Sequence, residues 1–210
     1  MSDELILYAA KGGGSAIVEA LLTLAGQKYQ VRYFSWEQLP DKELLAINPL
    51  GEIPALRLAN GEILTETAAI TLWLGDRFPS CGLVPPADDA HRAEFLRRLV
   101  WLVAAVYPTF TYGDHPERFV ANDEGARQLR ESTEQRCQQL WRQLEAELDG
   151  PWVCGNEMTA LDIFVAVMSS WRPRREWFAR ECPKLFAIAR RVDQIETLGE
   201  ILRRNELLPS

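Results

Sequence analysis

Residues 48–69, NPLGEIPALRLANGEILTETAA, combine a turn, a strand that opens on a proline, a hairpin and the start of a helix. Pro54 lies near the start of that strand, where a residue without a backbone N–H is tolerated. The Ile53–Pro54 bond is a candidate for the cis isomer, which would turn the backbone N–H and C=O of Ile53 outward. Asn60-Gly61 then predicts a tight hairpin turn between two strands.

The same stretch ends in Thr65-Glu66-Thr67, directly before an apolar run that predicts a helix. The first N–H groups of a helix have no partner inside it, and together with the helix dipole they attract an anion. Exposed strand backbone and a place for an anion therefore lie side by side. This combination predicts a site for a small, extended peptide with a free carboxylate.

Upstream of this stretch, the sequence predicts a strand, a glycine loop, a helix and a second strand. A strand–helix–strand unit implies two parallel strands joined by a right-handed crossover. The hairpin adds two more strands, so residues 1–78 are predicted to form a small α/β domain. Its apolar patterns place strands at residues 5–8 and 29–34, and helices at residues 16–24, 39–47 and 66–78.

Residues 79–88, PSCGLVPPAD, break this pattern and predict a linker. Strand signals almost vanish beyond it, so residues 89–210 are predicted to form an all-helical domain. Pro108 should kink or end the first of its helices. Thr159 and Asp162 have the spacing of a capping box at the start of a helix that is apolar nearly all round, which predicts a buried central helix.

Composition narrows the class of protein. The 210 residues are 47% hydrophobic and 25% charged, as in an ordinary globular protein. The net charge of -7 argues against nucleic acid or an anionic membrane as the main partner. The acidic start, Met1–Glu4, predicts no signal peptide, and no apolar run is long enough for a membrane span. Four scattered cysteines predict neither a disulfide scaffold nor a metal site, so a soluble cytoplasmic protein is expected.

Three motifs carry a resemblance to a known family. They are the turn and proline strand at 48–56, the Glu66-Thr67-Ala-Ala-Ile70 helix start, and Trp152-x-x-Gly155-x-x-x-Thr159-x-x-Asp162-Ile163. In this order and at these separations, they resemble the cytosolic glutathione transferases over nearly the whole chain. The resemblance implies a thioredoxin-like α/β N-terminal domain, an all-α C-terminal domain and a homodimer.

By this resemblance, glutathione is the expected co-substrate. Ile53, before the cis Pro54, would pair through its backbone with the cysteinyl part of glutathione. Glu66 and Thr67 would hold the amino and carboxylate groups of the γ-glutamyl part. The glycyl carboxylate needs a cation or another donor, and Lys42 and Trp36 are the candidates.

The reaction that the resemblance implies is activation of the glutathione thiol, whose unperturbed pKa is about 8.5. A donor from the loop after the first strand would stabilise the thiolate. Many bacterial relatives carry Cys or Ser immediately before the position of Ser15, where this chain has Gly14. The candidates are therefore Ser15 at the start of the first helix, Tyr8 at the end of the first strand, or backbone N–H groups of the loop.

A second substrate is expected between the two domains, over the glycine loop. Tyr107, Phe110 and Tyr112 lie at the predicted kink and would suit an apolar or aromatic electrophile. The expected function is glutathione conjugation, typical of detoxification. Two alternatives stay open: a glutathione-dependent disulfide or peroxide reductase, and a non-catalytic transferase fold used for protein contacts.

Overall fold

The computed structural model describes residues 4–209. Met1–Asp3, the larger part of the acidic segment that predicts no signal peptide, lie outside the described residues. Within the described range, no helix is both long enough and apolar enough to cross a membrane.

A four-stranded mixed sheet forms the first part of the chain, with the strand order β2-β1-β3-β4. β1 and β2 run parallel, with Leu5 opposite Tyr29. β3 runs antiparallel to both β1 and β4. The predicted parallel pair and the predicted hairpin are confirmed. The strands are β1 (Leu5–Ala9), β2 (Tyr29–Tyr33), β3 (Ala55–Arg57) and β4 (Ile63–Thr65).

Helices cover both faces of this sheet: α1 (Ser15–Leu24) and α3 (Thr67–Arg77) on one, α2 (Lys42–Ile47) on the other. The faces differ because side chains alternate along β1. Leu7 belongs to the main core together with residues of α1 and α3. Tyr8 points the other way, into a small cluster with Leu44 of α2.

Helices make up the remainder of the fold. Together with the sheet they confirm the predicted fold class, a thioredoxin-like α/β part followed by an all-α part. The division at 79–88 stays a prediction. The patterns missed one short helix, α8. The helices are α4 (Arg92–Trp101), α5 (Tyr107–Asp114), α6 (Asp123–Glu147), α7 (Ala160–Met168), α8 (Arg175–Glu181), α9 (Pro183–Gln194) and α10 (Glu196–Arg204).

The helix that precedes Pro108 does not run on as a regular α-helix. Leu102–Val106 form a π-helical segment between α4 and α5. Pro108 has no N–H to give to the carbonyl of Ala104, four residues earlier, and its ring crowds that carbonyl. The wider π-helical turn relieves the crowding between the Pro108 ring and this carbonyl. The regular α-helix α5 then begins at Tyr107.

The predicted capping box is present at the start of α7. Thr159 and Asp162 satisfy each other's backbone groups, and every residue of Ala160–Met168 is buried. This helix belongs to one continuous core that also contains Leu7 and Ile17 from the sheet part. The two parts of the chain therefore share a hydrophobic interior.

Candidate functional site

The backbone of Ile53 is open to a ligand. The Ile53–Pro54 bond is cis, as predicted. Among the residues that the structure describes, neither the N–H nor the C=O of Ile53 has a hydrogen-bond partner. An extended peptide could pair with both groups in the manner of an added strand.

The start of α3 lies at the same end of the sheet. Ala55 of β3 is opposite Thr65 of β4, so the residues that adjoin this pair, Pro54 and Glu66, are neighbours. Glu66 is exposed and has a φ of 66°, a region that non-glycine residues enter rarely and that is enriched at ligand sites. Thr67 is buried, and its N–H has no backbone partner within residues 4–209. The predicted juxtaposition of strand backbone and helix start is present.

The glycine loop, residues 11–15, is held by residues from distant parts of the chain. Gly12 donates its N–H to the carbonyl of Asn205 (2.7 Å) and accepts a hydrogen bond from Trp171 Nε1 (2.8 Å). The ring of Trp36 lies against Gly13, where a Cβ atom would come within 2.8 Å of ring carbon Cζ2. The glycines allow these close approaches, since none carries a side chain.

The side chain of Ser15 turns back into the loop. Its hydroxyl donates to the carbonyl of Ala10 (3.0 Å), accepts from the N–H of Ala10 (3.2 Å) and is fully buried. The hydroxyl thus serves loop structure and offers no open donor. The N–H groups of Gly14 and Ser15, by contrast, have no partner among the described residues. Backbone donors are the groups that this helix start presents.

Tyr8 is buried in the cluster beneath α2. Its ring packs against Phe34 with centroids 6.3 Å apart, and Ile53 lies against the same cluster. No hydrogen bond from the Tyr8 hydroxyl is formed within the described part of the chain. Tyr8 is therefore a core strand residue whose cluster also contacts Ile53.

Lys42 is exposed and is the first residue of α2. No carboxylate of the described chain lies within ion-pair distance of it. Trp36 is nearer the loop, because its Nε1 donates to the carbonyl of Lys11 (2.7 Å). The Lys11 side chain pairs with Glu206 (2.9 Å). The ammonium group of Lys42, on the α2 side of the sheet, therefore has no ion-pair partner among the described residues.

The three aromatic residues predicted for the second-substrate pocket do not lie together. Tyr107 and Phe110 pack edge-on against Trp171, with centroids 5.5 Å and 5.1 Å away. Tyr112 instead packs on Phe119 at 4.6 Å and is 42% exposed. Because Trp171 is bonded to Gly12, its cluster with Tyr107 and Phe110 lies over the glycine loop.

Tyr107 makes a contact that its sequence position alone did not reveal. Its hydroxyl oxygen overlaps the place that a Cβ atom at Gly14 would take. Burial raises the pKa of Tyr107 well above its ordinary value, and the nearby hydroxyl of Thr67 opposes this rise. The phenol is therefore protonated at neutral pH. Predicted as part of an apolar wall, Tyr107 places a polar atom directly on the loop.

Neither a metal cluster nor a loop thiol is present in the part of the chain that the structure describes. No group of three or more His, Cys, Asp or Glu side chains there could hold a metal ion. The cysteines of the helical part are buried, and burial raises the pKa of Cys137, Cys154 and Cys182. These thiols are therefore poor nucleophiles.

Comparisons with known proteins cover both parts of the fold. Residues 15–77 match the family model described as the glutathione S-transferase N-terminal domain. The chain is 41% identical over 206 residues to the GST-like protein YncG of Escherichia coli strain K12, which covers 96% of this chain and 98% of that protein.

Two solved structures have the same architecture. A glutathione transferase homolog from Sulfitobacter, with bound glutathione, has a TM-score of 0.86 at 22% identity and covers 99% of this chain and 100% of its own. A sphingomonad glutathione S-transferase complexed with glutathione has a TM-score of 0.80 at 25% identity, with 97% and 100% covered. The match extends from β1 through the helical part.

Proposed function

Because the chain belongs to the bacterial-type cytosolic glutathione S-transferase family, we propose that it joins the thiolate of glutathione to a carbon atom of a small hydrophobic electrophile. The observation that carries this proposal is the edge where the backbone of Ile53, which has no partner within residues 4–209, lies beside the start of α3. Glutathione, an extended tripeptide with carboxylates at both ends, suits that edge. It acts as co-substrate, and no metal takes part.

Each part of glutathione has a proposed partner. The N–H and C=O of Ile53, set by Pro54, pair with the cysteinyl residue. The carboxylate of Glu66 accepts from the γ-glutamyl amino group. Thr67 donates its N–H and hydroxyl to the γ-glutamyl carboxylate, which the α3 dipole also favours. Lys42, which has no ion-pair partner in the described chain, pairs with the glycyl carboxylate.

The backbone N–H groups at the start of α1 are proposed to stabilise the glutathione thiolate. The N–H groups of Gly14 and Ser15 have no protein partner within residues 4–209, and a helix N-terminus lowers the pKa of a nearby thiol. Ser15 then acts through its backbone, because its hydroxyl is bonded to Ala10. Tyr8 is a side-chain alternative that would act from β1.

The second substrate is proposed to contact the aromatic residues of α5. Tyr107 and Phe110 line the inner part with Trp171, and Tyr112 lies further out toward solvent. Such a surface favours an apolar or aromatic compound with an electrophilic carbon. Detoxification of such compounds in the cytoplasm is the proposed setting.

A homodimer is proposed as the working form. The support is family membership, together with exposed apolar side chains such as Leu50 and Val100 that a partner could cover. Sedimentation equilibrium should give twice the mass of one chain. A single-chain mass across the micromolar range would contradict the dimer.

The wild-type protein is expected to be retained on immobilised glutathione and to conjugate chlorodinitrobenzene. Retention without any turnover would favour the non-catalytic interaction module. Faster reduction of a glutathione mixed disulfide or a peroxide than conjugation would favour the reductase. No retention, together with no affinity in calorimetry, would contradict all glutathione-dependent functions.

Thr67→Val is expected to raise the Kd for glutathione about tenfold, because one hydrogen bond to the γ-glutamyl carboxylate is lost while side-chain shape is kept. Isothermal calorimetry measures this change. Thr197→Val is the matched control, since Thr197 is exposed in the first turn of another helix, α10. Equal affinities of wild type and Thr67→Val would contradict the assigned role of Thr67.

A further inference from the structure

Position 14 of the glycine loop is filled from the helical part of the protein. The hydroxyl oxygen of Tyr107 overlaps the site of a Cβ atom built at Gly14, and ring carbons Cζ and Cε1 lie 3.4 Å and 3.6 Å from that site. A serine or cysteine side chain at position 14 would need this same volume. Gly14 and the ring of Tyr107 are therefore complementary in shape.

The buried Tyr107 hydroxyl forms no hydrogen bond of normal geometry among residues 4–209, although the Thr67 hydroxyl lies close enough to lower its pKa. A buried hydroxyl without a partner costs free energy, so such a group in a folded protein needs an explanation. A ligand atom that accepts its proton would provide one. Sulfur of a thiolate is such an acceptor.

The surroundings of this hydroxyl correspond to the sulfur end of the proposed glutathione site. On one side are Gly14 and the start of α1, whose N–H groups at Gly14 and Ser15 have no protein partner in the described range. On the other side is Thr67 at the start of α3, close enough to influence the phenol. The hydroxyl thus lies between the thiol-activating loop and the group proposed to hold the γ-glutamyl end.

The ring is also held in place. It packs edge-on against Trp171, which donates to the carbonyl of Gly12 (2.8 Å). Gly12 in turn donates to Asn205 (2.7 Å). Phenol, tryptophan and loop therefore form one connected unit, which fixes the position of the hydroxyl relative to the loop.

We propose that the Tyr107 hydroxyl is the side-chain donor that stabilises the glutathione thiolate, supplied from α5 in place of a side chain on the loop. This inference rests on the proposed function. The S–H proton leaves to solvent, and Tyr107 keeps its own proton while donating a hydrogen bond to sulfur. With chlorodinitrobenzene, the sulfur lone pair forms the C–S bond, and the C–Cl bond breaks to release chloride with its electron pair.

Tyr107→Phe tests this role, because it removes only a hydroxyl that forms no hydrogen bond of normal geometry in the described chain and should leave the fold intact. The Kd for glutathione, measured at a pH below the pKa of the bound thiol, should stay within about twofold of wild type, because the thiol is then protonated in both proteins. The pKa of the bound thiol, followed by thiolate absorbance against pH, should rise by about one unit. At neutral pH, kcat/KM should fall about tenfold or more, and the deficit should shrink above the thiol pKa.

Tyr29→Phe is the matched control, since its hydroxyl bonds to Thr23 (2.6 Å), away from the loop. Binding of glutathione by the wild type is measured first. If the wild type binds none, the proposed function itself fails. If it binds and turns over but Tyr107→Phe has the same thiol pKa and rate, this inference alone is overturned. Tighter binding and faster turnover in Tyr107→Phe would also overturn it, because the hydroxyl would then occupy the place of the sulfur.

Substitutions at Gly14 give two further readouts, of which the first, thermal stability, does not depend on turnover. Gly14→Ala should lower the midpoint of thermal unfolding by about 5 °C, because the new methyl meets the Tyr107 hydroxyl. In a Tyr107→Phe background the loss should be clearly smaller. Gly14→Ser in that background should return a hydroxyl from the loop and recover part of the rate. Equal thermal losses in both backgrounds, or no recovery, would contradict the proposal.

Discussion

Asp162→Asn is expected to lower the free energy of unfolding by about 3 kcal/mol at pH 5. Asp162 is fully buried at the start of α7. Its Oδ1 accepts the N–H of Val153 (2.8 Å), and its Oδ2 accepts the N–H (2.7 Å) and hydroxyl (3.3 Å) of Thr159. At pH 5 the carboxyl is protonated, and its O–H can turn toward the Thr159 hydroxyl while both oxygens still face the two backbone N–H groups. An asparagine NH₂ group cannot accept a hydrogen bond, so it would face one of these N–H groups and leave that donor and itself unpaired.

This difference should depend on pH. Burial raises the pKa of Asp162 to about 6, although the hydrogen bonds from Thr159 and Val153 oppose the rise. A folded-state pKa above the unfolded value means that the contribution of this carboxyl is fully present below about pH 4 and is lost as pH rises through about 6. The stability gap between wild type and Asp162→Asn should therefore narrow from pH 5 to pH 7.

Urea unfolding of the two proteins at several pH values measures the gap. Asp123→Asn is the control, since Asp123 is exposed in the first turn of α6 and should change stability by less than about 0.5 kcal/mol. A gap that widens as pH rises would show that hydrogen bonds dominate over burial and that the pKa of Asp162 is lowered.

Glu19→Ala is the second substitution with a large expected effect, a loss of about 3 kcal/mol. Glu19 lies inside α1 and is only 1% exposed. It pairs with Arg204, accepts from the side-chain amide of Asn205 (2.6 Å) and accepts from the hydroxyl of Tyr33 (3.2 Å). Alanine would leave the fully buried Asn205 amide short of an acceptor.

The consequence of Glu19→Ala should reach the glycine loop. The carbonyl of Asn205 accepts the N–H of Gly12 (2.7 Å), so a displaced Asn205 weakens the hold on the loop. Glutathione affinity should therefore fall together with stability, and the Gly12 amide should exchange its hydrogen faster. Burial and then the charge of Glu19 raise the pKa of Tyr33 to about 12, so that pKa should fall in the variant.

Glu200→Ala serves as the control, because Glu200 is an exposed acidic residue of α10. It removes the same charge without touching the buried cluster. If Glu19→Ala and Glu200→Ala lower the free energy of unfolding in urea by similar small amounts, the buried cluster contributes little to stability. If the hydrogen-exchange rate of the Gly12 amide is the same in Glu19→Ala and wild type, the buried cluster does not stabilise the glycine loop.

The sequence predicted most of the fold because each main element has a local cause. Alternating side chains indicated β2, Asn60-Gly61 indicated the hairpin, and the capping residues indicated the start of α7. The π-helical segment before Pro108 was only partly foreseen, since the proline predicted a disturbance but not its form. Helix α8 is short and lies among several arginines, so its apolar period is weak.

For the candidate site, the sequence predicted the geometry of the edge at Ile53 and Glu66 better than that of the glycine loop. Ile53 and Glu66 lie in one short stretch, where turn and strand signals fix their relative positions. The loop depends on partners from the far end of the chain, such as Tyr107 and Asn205, and no local pattern encodes these contacts. The sequence alone also did not show that the Ser15 hydroxyl, predicted to face a thiolate, donates its hydrogen bond to the carbonyl of Ala10.

Because Gly12 is hydrogen-bonded to Asn205, the glycine loop can reach its final structure only after Asn205 has been synthesised. A ribosome makes the glycine loop before the helices, but Trp171 and Asn205 emerge only after most of them. Until then the loop lacks its hydrogen bonds with Trp171 and Asn205, and the apolar face of α1 that packs on α7 stays exposed. A nascent chain that already contains every proposed glutathione contact therefore still lacks the supported loop, which is complete only once Asn205 has emerged.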